Sequence, residues 1–205
     1  MLNLRVRPAM NRVVGPVAGG LLRIGVTPDA VTVVGTLGVV VGALVFFPRG
    51  MFLAGTTIVF FSVLTDMLDG AMARRRGTAS RFGAWLDSTC DRVADAAIFS
   101  GLALWFAGGG DSPLLLAVVL FCLVSGSVVS YAKARAEGLG LRCDVGLAER
   151  AERLILVLLG TFLTGLGLDL ALPVLLWLLA AASAVTVVQR LLEVRRQAAR
   201  TEQLR

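Results

Sequence analysis

Six apolar runs, separated by short charged or glycine-rich stretches, set the pattern of this chain: residues 30–47, 51–65, 96–107, 114–132, 154–168 and 170–188 carry no ionised side chain. Uninterrupted runs of this kind predict helices that cross a lipid bilayer. A span needs about 20 residues, so the second and third runs are too short alone. They reach spanning length if the second continues to Ala73 and the third begins near Phe82, and both extensions carry carboxylates into the membrane. The expected fold class is an all-α integral membrane protein with six transmembrane helices.

Composition agrees. Of 205 residues 57% are apolar, and a mean hydropathy of +0.82 excludes an ordinary soluble domain. Six spans leave no room for a separate soluble domain. The formal charge of +6 is concentrated at one membrane face. Arginines and lysines precede the first span, separate the second from the third and the fourth from the fifth, and follow the sixth, whereas the other loops contain only Arg49. The positive-inside rule then puts both termini and the even-numbered loops in the cytoplasm, as expected of a multi-pass cell-membrane protein.

The opening residues lack the continuous apolar stretch of a cleaved signal peptide. Instead Leu4, Val13, Val14 and Val17 set against Arg5, Arg7 and Arg12 predict an interfacial segment over 1–22, a disordered basic tail being the alternative, followed by the six-helix transmembrane domain over 23–205. Three scattered cysteines and no histidine imply neither a disulfide framework nor a soft-metal site.

The candidate chemistry lies between Asp66 and Asp91. Ionised side chains within spans are expensive and mark function. At helical spacing Asp66, Asp69, Gly70 and Ala73 form one stripe, and Gly83, Asp87, Asp91 and Asp95 another. A loop of about seven residues predicts that the two helices are antiparallel neighbours with facing stripes. Four carboxylates on one spot, at about 5 Å and an effective dielectric near 20, would repel by on the order of 3 kcal/mol per pair. Such a cluster holds protons or hard cations such as Mg²⁺, Mn²⁺ or Ca²⁺. Gly70 and Gly83 leave room for a bulky anion, and Arg74 offers a fork for phosphate oxygens, so the whole describes a pyrophosphate site.

These residues spell D-x-x-D-G-x-x-A-R, eight residues, then G-x-x-x-D-x-x-x-D, matching at Asp66, Asp69, Gly70, Ala73, Arg74, Gly83, Asp87 and Asp91. The segment resembles the signature of the CDP-alcohol phosphotransferases, whose six-helix fold agrees with the spans. The resemblance implies that an alcohol attacks the β-phosphorus of CDP-diacylglycerol and CMP leaves. It implies two Mg²⁺ ions, with Mn²⁺ as the alternative, held by Asp66, Asp69, Asp87 and Asp91, the last also being the catalytic base. It further implies nucleotide contacts at Asp29, Ala30, Val31 and Thr32, although Pro28 and Asp29 are also good helix-start chemistry. Ser80, with Gly70 and Arg74, would touch the CDP-lipid. The resemblance also implies a homodimer surrounded by membrane lipid, and no nucleic-acid partner is expected.

Beyond the motif, Lys133 lies one turn past Ser130, and Arg153 and Arg190 stand near the ends of two other spans on the same side. With Ser130 they form a candidate second anion pocket, whereas Arg135, Arg142, Arg195 and Arg196 read as anchors. A pocket of cations calls for a phosphorylated acceptor alcohol. The strings SYAKARAE, AERAERL and QR resemble the actinobacterial members of the family whose acceptor is inositol phosphate. Glycerol 3-phosphate carries the same charge and stays open on physical grounds. A cation transporter is the remaining reading, opposed by arginines beside the acids and by the lack of a visible repeat.

Overall fold

The apolar runs become helices bounded by the capping residues that the sequence places there. The computed structural model describes residues 15–76 and 80–203, without the side chains of residues 66, 67, 76 and 201–203. A short helix α1 covers 15–23. α2 (Pro28–Val41) starts with Pro28 in its first turn, and the Thr27 hydroxyl accepts from the Ala30 N–H at 3.2 Å. It continues through a π turn (Gly42–Phe46) and a 3₁₀ turn (Phe47–Arg49) to Gly50, whose φ of 70° ends the helix in the left-handed region.

α3 (Phe52–Arg76) and α4 (Arg81–Ala107) bear out the two predicted extensions. Their 25 and 27 residues give lengths of about 38 and 40 Å, enough to cross the hydrocarbon with the carboxylate turns included. Ser80 caps α4 by accepting from the Gly83 N–H at 2.8 Å. Then follow α5 (Pro113–Gly138), capped by Ser112, α6 (Arg150–Gly165) and α7 (Ala171–Gln203).

Among the described residues four helical segments are long and apolar enough to cross a membrane: Pro28–Arg49, Phe52–Arg75, Pro113–Gly138 and Ala171–Arg200. Outside this set are the short α1, the charge-bearing α4 and the 16-residue α6, about 24 Å long.

Among the described residues α2, α3, α6, α7, α5 and α4 follow one another around a closed ring, each packed on the next. Phe47, Ile98, Leu102, Val119, Val157, Leu172, Leu176 and Leu179 fill much of the interior. A buried Thr56–Thr161 hydrogen bond of 2.6 Å joins α3 to α6, the kind of hydroxyl contact that associates helices in lipid.

Among the described residues α2 packs closely on both α3 and α4, which have few close backbone contacts with each other. Close backbone approach at glycine makes this possible. On α2 a Cβ at Gly35 would run into Thr65 Oγ1 and come within 3.2 Å of the Ser62 carbonyl of α3, and a Cβ at Gly101 of α4 would strike the Ala43 carbonyl. Missing side chains thus let α2 lodge against two partners at once.

Of the expected interfacial segment, residues 1–14, with Leu4, Arg5, Arg7, Arg12, Val13 and Val14, lie outside the described residues. Ala18 of α1 packs with Ala71 and Met72 of α3. The Arg75 guanidinium crosses α1 where Gly15 and Gly19 leave space, 2.8 Å from where each Cβ would be.

Candidate active site

The first turn of α2 joins the two halves of the aspartate motif. Asp69 on α3 is 7% exposed, and Thr32 of α2 donates its hydroxyl to Asp69 Oδ2 at 2.5 Å. That hydroxyl also lies 3.2 Å from the Pro28 carbonyl, but its one proton belongs with the closer, charged acceptor. One turn earlier on α2, Asp29 Oδ1 sits 3.5 Å from where a Cβ on Gly83 would stand. Thr32 therefore orients an α3 carboxylate while Asp29 approaches the start of α4.

The remaining motif residues take distinct places. Arg74 is exposed and folds back along α3, its Nη1 3.4 Å from where a Cβ on Gly70 would sit. Fork and gap thus share one face beside Asp69. Ser80, the α4 cap, is exposed at the mouth of the same region; Ala30 is exposed, and Val31 packs toward the Ala18–Met72 cluster. Asp87 is exposed. Asp91 is mostly covered and pairs with Arg150 Nη2 of α6 at 2.7 Å. The Asp66 side chain lies outside the described ones, and among those described no three carboxylates are grouped to hold one ion.

The residues present fit hard divalent cations. The donors are carboxylate oxygens, the chain has no histidine, and Asp69 is held by a hydroxyl as ligating carboxylates commonly are.

The residues expected to form a second anion pocket are distributed along α5. Arg153, 2% exposed, bonds through Nη1 to the Gly126 carbonyl at 3.1 Å and through Nη2 to Asp95 Oδ2 at 2.5 Å. Arg190, 3% exposed, uses all three nitrogens: Nη1 to the Val129 carbonyl, Nε to the Val145 carbonyl and Nη2 to Glu149 Oε1 at 2.5, 2.9 and 3.1 Å. Lys133, more exposed, pairs with Asp144 at 2.6 Å. That hydrogen bond holds the Asp144 carboxyl below its ordinary range. Ser130 accepts from Arg92 and donates to the Gly126 carbonyl at 3.0 Å. The three cations contact α5 or lie on it at Gly126, Val129 and Lys133, roughly one turn apart, each with partners of its own.

Sequence reasoning did not assign Arg92, Arg150, Glu149 or Asp95 to a site. Asp95 was visible as the fourth member of its stripe, whereas Arg150 was legible only as one more basic residue near a span end.

Family comparison agrees with this geometry. The CDP-alcohol phosphatidyltransferase family matches residues 25–190, and the chain belongs to that family of membrane transferases. It is 52% identical to the phosphatidylinositol phosphate synthase of Streptomyces avermitilis over 98% of this chain and 86% of that one. It also superposes on the crystal structure of the Mycobacterium tuberculosis phosphatidylinositol phosphate synthase PgsA1 with CDP-DAG bound. That match has a TM-score of 0.87 and 53% identity over 89% of this chain and 94% of the other. The same enzyme in complex with manganese and citrate matches with a TM-score of 0.86 and 53% identity, covering 88% of each chain.

Proposed function

We propose that the chain is a phosphatidylinositol-phosphate synthase: it transfers the phosphatidyl group of CDP-diacylglycerol to a hydroxyl of inositol 3-phosphate and releases CMP. The observation that carries this reading is the conjunction of the aspartate motif with buried arginines on the α5 side of the same bundle, in a chain half identical to synthases of that name.

In the proposed reaction the acceptor oxygen bonds to the β-phosphorus, which bears diacylglycerol. The bond from that phosphorus to the bridging oxygen breaks, and its electron pair leaves with CMP. Asp91 takes the hydroxyl proton. Asp66, Asp69, Asp87 and Asp91 would hold two Mg²⁺ or Mn²⁺ ions, which supply charge neutralisation at the diphosphate and on the departing CMP. Thr32 fixes Asp69, Gly70 and Gly83 keep the approach open, and Arg74 steers the phosphates. Asp29, Ala30, Val31, Thr32 and Ser80 contact the nucleotide end, at the starts of α2 and α4, where exposed backbone N–H groups favour an anion.

On the acceptor side Ser130, Lys133, Arg153 and Arg190 receive the inositol phosphate. A phosphomonoester with charge near −2 suits this basic region, whereas free inositol has nothing to offer it. The reading includes six spans in the cell membrane, both termini and the site on the cytoplasmic side, and a homodimer. The distribution of basic residues supports the orientation, and the family resemblance supports the dimer.

The test is CMP release from CDP-diacylglycerol by the full chain in detergent. It should require both Mg²⁺ or Mn²⁺ and inositol phosphate, and EDTA should stop it. A cation transporter would release no CMP, and release without a metal would overturn the assignment of the aspartates.

A further inference from the structure

Asp95 lies one turn beyond Asp91 on α4, belongs to no position of the family motif, and is 7% exposed. Three guanidiniums surround it. Its Oδ2 receives Arg153 Nη2 at 2.5 Å and stands 3.4 Å from Arg92 Nη1, while its Oδ1 is 3.9 Å from Arg150 Nε. Arg92 comes from one turn earlier on α4; Arg150 and Arg153 reach it from α6 across the interior of the ring. Burying one carboxylate among three cations is costly, and a purely structural ion pair would need only one arginine. Asp91, one turn away, takes Arg150 Nη2 at 2.7 Å, so Arg150 spans both carboxylates of this stripe.

The local backbone is shaped to this cluster. Arg153 lies flat on α5 because residue 126 has no side chain: a Cβ there would stand 3.0 Å from the Arg153 Cζ. Arg92 reaches the same turn through Ser130, whose hydroxyl donates to the Gly126 carbonyl. Helices α4, α5 and α6 are thereby tied at one level. Arg153 Nε remains a buried donor without a hydrogen-bond partner among the described residues, an arrangement that costs free energy unless an oxygen arrives to accept from it.

We infer that Asp95 is a positioning residue for the acceptor: it gathers Arg92, Arg150 and Arg153 into one preset cationic wall, against which the acceptor's phosphate seats. The inference rests on the acceptor reading above and adds Arg92 and Arg150 to it. Asp95 touches no substrate. It holds the guanidiniums in place before the anion enters, so that little side-chain ordering is left to the binding step.

The experiment is initial-rate kinetics on the full chain in detergent, varying inositol phosphate and CDP-diacylglycerol separately, with thermal unfolding recorded for each variant. Asp95→Asn should raise the acceptor KM about tenfold or more and leave the CDP-diacylglycerol KM within about twofold. Asp95→Glu, which keeps the charge but displaces it, should recover part of that loss.

If Asp95→Asn does not fold, Gly126→Ala decides: it alters no charge, displaces the Arg153 guanidinium by a few tenths of an ångström, and should raise the acceptor KM alone. Equal shifts in both KM values, or an unchanged acceptor KM in the folded variants, would overturn the inference. If the unaltered chain used glycerol 3-phosphate instead of inositol phosphate, the inositol reading would fail, and the same split measured with glycerol 3-phosphate would still decide the role of Asp95.

Discussion

Replacing Thr32 with valine probes the joint between α2 and α3 with little disturbance to packing, because valine keeps the branched shape and loses only the hydroxyl. The hydroxyl donates to a buried carboxylate at 2.5 Å, and a hydrogen bond to a charged group contributes about 1.5–3 kcal/mol. Losing it frees Asp69 to rotate away from the orientation in which it would hold a cation. At about 1.4 kcal/mol per factor of ten, the metal concentration for half-maximal turnover should rise roughly tenfold to a hundredfold. The assay is CMP release titrated with Mn²⁺ at saturating CDP-diacylglycerol and inositol phosphate. Thr32→Ser keeps the donor and should stay close to the unaltered chain, which separates the hydrogen bond from nucleotide contacts made by the same residue. If Thr32→Val showed an unchanged Mn²⁺ dependence, Thr32 would not be orienting a metal ligand.

Three further outcomes follow from the same geometry. Asp91→Asn should abolish product formation while CDP-diacylglycerol binding, measured by equilibrium dialysis with Mn²⁺, largely survives; retained turnover would reduce Asp91 to a ligand. Gly35→Val drives a side chain into Thr65 and the Ser62 carbonyl, and such overpacking costs about 1–3 kcal/mol, so the melting temperature in detergent should fall; an unchanged value would contradict the close α2–α3 contact. Asp144, held by Lys133, has its pKa lowered below the ordinary 3.8. Its contribution to stability is therefore present above that value and lost as pH falls through the depressed pKa, and a carboxyl ¹³C titration should place the midpoint below 3.8. A midpoint at or above it would mean that the Lys133 contact does not form in solution.

The helices and the motif were legible because both depend on local spacing. Spanning length required the second helix to run to about Ala73 and the third to begin near Phe82, and Pro28 with Asp29 marks a helix start. The position of α2 between the motif helices was not legible. The short interval between Arg76 and Arg81 is compatible with direct α3–α4 packing, and the lodging of α2 against both rests on where glycines admit a backbone, at Gly35 and Gly101. Nor could the sequence reveal which charges pair. Asp95 and Arg153 are 58 residues apart, and Asp91 meets Arg150 only because the ring brings α6 opposite α4. The basic residues near span ends all look alike as positive-inside anchors; burial separates Arg153 and Arg190, inside the bundle, from the more exposed Lys133.

The central claim, transfer to a phosphorylated inositol, is tested most directly by acceptor competition. Purified full-length protein receives CDP-diacylglycerol and Mg²⁺ with equal concentrations of inositol 3-phosphate, free inositol and glycerol 3-phosphate, and the lipid products are separated and weighed by mass spectrometry. The account predicts phosphatidylinositol phosphate as the dominant product, formed with one CMP per lipid, and little phosphatidylinositol, since free inositol brings no phosphate to the arginines of α6 and α7. Phosphatidylglycerol phosphate or phosphatidylinositol as the main product would contradict it.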